Sequence, residues 1–360
     1  MNENKFMSAF KANAIWLVFI AEIAIFYYFN PKFLSLPNIV SISRQVSYYG
    51  IAAIGMTFVI LIAGIDLSTA SIVVLVNVIC AHLMMYGMSI PSFTVPFTNF
   101  VVPRLTILSP TNMYVAILFS IIVATLIGVL NGFMVATIGI PAIIATFASQ
   151  TIFRGLAYII SGGIPIPDLL RYAPDAGLTG NPTLGFFARW SLNHWSIFPR
   201  QGIGLIPVCA IIMVICFAVG SFILNKSYFG RYFYAIGGNE EASELSGIRV
   251  NKMKYLIYAL SGFFAGLAGI VVLSRTGSAQ PSTLTGFEFE VITCVVLGGV
   301  SVAGGIGHMS GVIAGVLIIG SLKSGMVMAN VNEYIQMVVQ GLVLAVAVGF
   351  DCFSKKRQTS

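Results

Sequence analysis

Blocks of about 20 apolar residues recur along this chain, each long enough to cross a bilayer as a helix. The first covers residues 14–29, behind a polar start bearing Lys5 and Lys11. That order resembles a signal peptide. However, Tyr27-Tyr28-Phe29-Asn30-Pro31 follows where a small-x-small cleavage site would stand, so the block reads as an uncleaved span. Further blocks occupy 47–65, a stretch ending near 86, 113–137, a stretch ending near 161, 203–224 and 255–273. An eighth opens at Glu290 and is interrupted by glycines, a ninth holds Gly311 and Gly315, and the tenth covers 334–350. The pattern predicts an all-α polytopic membrane protein of about ten helices, forming one transmembrane domain over residues 1–360. Gly128/Gly132, Gly262/Gly266 and Gly311/Gly315 give small-xxx-small faces for close helix contact. Two connectors are long. Residues 87–111 hold four prolines and read as an irregular loop, and 162–202 is rich in Pro, Gly and aromatics suited to a membrane interface.

One polar stretch stands apart, residues 225–254, between two membrane-length apolar blocks. It carries five Lys/Arg and three of the chain's twelve acidic residues. Asn239 can cap a short helix with Glu240 and Glu241 in its first turn, where the helix dipole favours carboxylates. Ala242, Leu245 and Ile248 share a face, and Gly247 offers a left-handed stop. Two turns of helix are not stable alone in water, so this one must dock on the body of the protein or on another chain.

Composition fits the same class, with 58% hydrophobic and 9% charged residues against about 25% charged in soluble domains. Ten of the nineteen basic residues fall on segments placed in the cytoplasm when both termini lie inside. The net charge of +7 is therefore membrane basicity and not a nucleic-acid signal. The five cysteines form no CxxC pair and read as small buried hydrophobes.

Polar residues inside the apolar blocks are the candidates for chemistry. Glu22 lies near the centre of the first block, either functional or facing a neighbouring helix with a hydrogen-bond partner. Asp66 is either a helix N-cap in a tight turn, or Ser68 and Thr69 beside it break the helix and line a cavity. Asn131 bonds across a helix contact or touches a polar solute. Arg154 lies within snorkelling reach of an interface. The run Gly298-Gly299-Val300-Ser301 to Gly307 marks a broken or tightly packed helix pair, the kind of place where transporters bind solute. His194 is isolated, and no metal site is expected. No HExxH, GxSxG or GxxxxGK[ST] is present, so the chain carries no catalytic residues and no phosphate loop of its own. An intramembrane enzyme is thereby disfavoured. A self-sufficient transporter coupling protons through Glu22, Asp66 or Glu290 remains the alternative to an importer subunit.

Several short runs together carry a resemblance. They are Phe229-Gly230-Arg231, Ala235-Ile236-Gly237-Gly238-Asn239, Ser246-Gly247-Ile248, Ser261-Gly262, the Gly298–Gly305 stretch, Gly64-Ile65-Asp66-Leu67-Ser68 and Leu130-Asn131-Gly132. Over about residues 40–350 the chain resembles the permease subunits of bacterial ATP-binding-cassette importers for monosaccharides, of the branched-chain-amino-acid/ribose permease superfamily. Glu241-Ala242-Ser243 followed by Gly247 resembles the coupling motif of importer permeases, with Ser for its second Ala. The resemblance implies ATPase coupling by Gly230, Arg231, Gly237, Gly238, Asn239, Glu241, Ala242 and Gly247. The expected substrate pathway draws on Asp66, Ser68, Asn131, Glu290, Gly298, Gly299 and Ser301. The implied partners are an ATPase subunit that binds ATP and Mg, a sugar-binding protein and a second permease, identical or paralogous. The implied location is the bacterial cytoplasmic membrane, with no cofactor held by this chain.

Overall fold

The computed structural model describes residues 2–90, 93–94, 101–102, 105–108, 113–166, 196–200 and 203–359. The body is helical. In chain order the helices are α1 (Asn2–Phe29), α2 (Leu36–Leu61), α3 (Thr69–Met85), α4 (Met113–Ala136), α5 (Ala142–Ser161) and α6 (Val208–Lys226). They continue as α7 (Tyr228–Gly238), α8 (Glu240–Leu245), α9 (Val250–Thr276), α10 (Phe287–Leu297), α11 (Met309–Met328) and α12 (Glu333–Thr359). Six of these, α4, α5, α6, α9, α11 and α12, contain stretches long and apolar enough to cross a membrane.

The long connectors depart from the sequence expectation. Short antiparallel ladders pair Met88–Ile90 with Leu105–Leu108 and Phe93–Thr94 with Val101–Val102, where irregular loop was expected. Ser196–Arg200 pairs with Ile203–Pro207, so the sixth block begins as a strand and turns helical only at Val208. Val, Ile, Phe and Thr between prolines suit a pleated strand.

Helix α9 is the hub, packed against α2, α3 and α4. In its most apolar stretch 72% of residues are buried, against 6% for α12, which leaves most of its surface facing outward. Two of the glycine faces read from sequence meet each other here. A Cβ on Gly128 would stand 2.1 Å from the Tyr258 carbonyl oxygen, and one on Gly262 would stand 2.3 Å from that of Ala124. The helices touch backbone to backbone, and only glycine allows it. The third face, Gly311 and Gly315, packs α11 onto α10 in the same way, against the carbonyls of Gly298 and Cys294.

Four cysteines are buried as expected, but Cys352 is exposed on α12. Arg154 has partners within the protein. It donates to the carbonyls of Thr283 at 2.7 Å and Pro281 at 3.1 Å, tying α5 to the connection between α9 and α10. Glu22 accepts a 2.9 Å hydrogen bond from Ser321 Oγ on α11, as the packing reading expected.

Candidate functional site

The connection from α2 to α3 dips into the bundle, and its polar groups are met by neighbouring helices. Asp66 is fully buried. Its Oδ1 accepts from Ser68 N–H at 3.0 Å and from Ser68 Oγ at 2.5 Å, and its Oδ2 accepts from Ser261 Oγ of α9 at 2.7 Å. The geometry is an Asx turn, and Ser68 itself stands at the N-cap of α3 without a side-chain cap bond. Asn131 of α4 donates to Ser68 Oγ at 2.8 Å and accepts from Ser149 of α5. Thr146 Oγ1 donates to the Ile65 carbonyl and accepts from Leu67 N–H, both at 3.1 Å. Irregular backbone within a membrane is tolerated when side chains satisfy it in this way. Asp66, Ser68 and Asn131 are thus brought together, and Ser149, Ser261 and Thr146 complete the cluster. Serines and threonines in apolar blocks gave no signal of their own.

Glu290 belongs to a different cluster. Tyr49 of α2 donates to its Oε2, and Lys323 Nζ of α11 lies 2.9 Å from its Oε1 and 2.9 Å from the Tyr49 hydroxyl. Lys323 is a charge inside an apolar block, a signal in plain sight that reading the acidic residues alone passed over.

Gly298, Gly299 and Ser301 share no hydrogen bond with either cluster among the described residues. Their loop, between α10 and α11, packs against the polar stretch of residues 225–254. Gly305 N–H donates to the Leu61 carbonyl at the end of α2 at 2.9 Å. Tyr234 of α7 donates to the Gly307 carbonyl at 2.7 Å, and burial pushes its phenol above the ordinary pKa. Asp351 of α12 accepts from Ser301 Oγ at 3.0 Å and Val302 N–H at 3.1 Å. One glycine loop therefore holds α2, α7 and α12 together.

Helix α7 sits tight on this loop. Ser227 caps it through Gly230 N–H, and Gly230 is buried against the Leu224 carbonyl. Gly237 faces Leu61 and Gly305 directly, whereas Gly238 and Arg231 face outward. Helix α8 then hangs from the end. Asn239 accepts from Ala242 N–H at 2.9 Å, as its cap chemistry predicts, and Gly247 takes φ +85°. Glu240 pairs with Lys254 at 2.6 Å. Ser243 is the buried residue of α8. Glu241, Ala242 and Leu245 point outward, Leu245 with 84% of its surface free.

The sequence profile described as "Branched-chain amino acid transport system / permease component" matches residues 38–348. The ribose import permease protein of Haemophilus influenzae is 38% identical over 339 residues, covering 93% of this chain and 91% of that protein. The L-arabinose transport system permease protein of Escherichia coli K12 is 34% identical, covering 97% of this chain and 94% of its own. The xylose transport system permease protein of Haemophilus influenzae is 32% identical, with 95% and 96% covered. No solved structure matches.

Proposed function

We propose that this chain, which belongs to the family of branched-chain amino acid transport system permease components, is the membrane subunit of an importer that moves a monosaccharide into the cytoplasm. It is a transport subunit and not an enzyme. The observation that carries the reading is the near full-length similarity to a ribose import permease. The three relatives named above are permeases for ribose, arabinose and xylose, so a pentose is the first cargo to test. On this reading α1, α2 and α3 join the six long apolar helices as spans, and the 11-residue α10 crosses together with its flanking connections, making ten crossings with both termini inside. Helices α7 and α8, within residues 225–254 of a single membrane domain, then lie in the cytoplasm of a bacterial cell. A second permease subunit, a sugar-binding protein outside and an ATPase carrying ATP and Mg inside complete the assembly.

Helix α8 supports the placement of the ATPase. Its six residues cannot hold a helix alone, and their outward Ala242 and Leu245 touch nothing of this chain that would need them. The proposed seat is a groove on the ATPase, with Glu241 offering a charge-assisted contact. ATP closure then moves α7, and the glycine loop passes the motion to α2, α10, α11 and α12. Energy enters only as a difference in affinity for the two states. The polar cluster of Asp66, Ser68 and Asn131, with Glu290 above, is assigned to the bundle that switches.

Leu245→Asp puts a charge where the partner sits and nowhere else. Its expected effect is at least a tenfold loss of ATPase retained on purified permease in mild detergent, with the permease's own melting temperature unchanged. Full retention by the variant would remove α8 from the interface.

A further inference from the structure

We propose that the cavity walled by α10, α11 and α12 is the place where the translocated sugar lodges in this subunit, with the Gln340 amide as a recognition group. This rests on the importer reading above. The cavity has a volume of about 950 Å³, within the usual span for small-molecule sites of about 300–1,000 Å³. Its rim is the connection at residues 282–286, just ahead of α10. The loop at the other end of α10 is the one bonded to α7, so the cavity lies toward the opposite end of the bundle from α7 and α8. A sugar arriving from outside meets this end first.

The lining fits a neutral polyol. At the floor Glu290 and Lys323 neutralise each other, and Tyr49 is bonded to both, so the floor offers hydrogen-bonding atoms without net charge. An anion or a cation would find no unpaired opposite charge there. Glu333 also lines the cavity and is exposed. Gln340 comes from α12, half-buried, with no hydrogen bond to its amide among the described residues. An amide carries two donors and two acceptor lone pairs, the complement of a sugar hydroxyl, which both gives and accepts. The half-exposed amide is open to the cavity, where a ligand hydroxyl can pair with it. Phe289, half-exposed on the same wall, offers a flat apolar face for the C–H side of a sugar ring.

The test uses the complete importer in proteoliposomes, with radiolabelled ribose, arabinose and xylose as probes. Gln340→Ala is expected to cut uptake of the sugar the wild type carries at least tenfold. ATP hydrolysis and assembly with the second permease should stay within twofold. Leu344→Trp fills the cavity from the next turn of α12 while leaving Gln340 in the chain, and the same loss is expected. Wild-type uptake by either variant in assembled complex, as would follow if lipid or the second permease filled the cavity, overturns the assignment. A wild-type complex that carries none of the three sugars and no other monosaccharide overturns the importer reading instead.

Discussion

Gly237→Ala abolishes transport and sharply lowers the yield of folded protein, whereas Gly238→Ala leaves the yield near wild type. The two glycines are neighbours on α7 and differ only in what they face. A Cβ on Gly237 would stand 1.8 Å from the Leu61 carbonyl oxygen and 2.5 Å from Gly305 N, both backbone atoms at the meeting of α2 and the glycine loop. Neither can swing aside as a flexible side chain would, so α7 must lift off its seat. Overpacking a close contact costs about 1–3 kcal/mol and occasionally more, and a backbone-on-backbone clash belongs at the upper end. A Cβ on Gly238 meets nothing within 4 Å. Expression, melting temperature in detergent and uptake, measured side by side on the two variants, check the contrast. Equal behaviour of the pair would mean that the seat of α7 is not as described.

Asp66→Ala carries the second large effect. Removing the carboxylate takes the acceptor from the hydroxyls of Ser68 and Ser261 and from the Ser68 N–H in a fully buried site. Each unsatisfied buried donor costs about 1–3 kcal/mol, so a loss of about 3 kcal/mol or more is expected. Asp66→Asn keeps one acceptor oxygen for Ser68, and the Ser261 hydroxyl can turn to accept from the new amide. Its cost is about 1 kcal/mol on the same scale. Thermal melting of the two variants in one detergent should rank them in that order. An alanine variant as stable as wild type would show that the cluster contributes nothing to holding α3 and α9 together.

What could be read from sequence was whatever depends on near neighbours. The Asn239 cap and the Gly247 stop are local chemistry, and both stand in the structure as their residue types require. The small-xxx-small faces of α4 and α9 were legible as faces, but their meeting depends on which helices become neighbours, which periodicity does not encode. The glycine run from Gly298 to Gly307 read correctly as a break between helices. Its position against α7 did not, because Gly237 and its partner Gly305 lie about 70 residues apart in sequence. The strands at 88–108 and 196–207 escaped notice because runs of two to five residues are too short for a period to register. Asp66 and Asn131 were visible as polar residues in apolar blocks. Ser149 and Thr146 were not, and Ser261 stood out only through the Ser261-Gly262 pair, since a hydroxyl in a membrane helix usually bonds its own backbone. Cross-helix bonds appear only when the helices are packed.

The most direct measurement places the purified chain in proteoliposomes with its second permease subunit, its ATPase and its sugar-binding protein, and follows radiolabelled pentose. The account predicts accumulation only when ATP is supplied on the ATPase side and every component is present, with no ATP hydrolysis by this chain alone. Accumulation by the chain alone, driven by a proton gradient and indifferent to ATP, would contradict it.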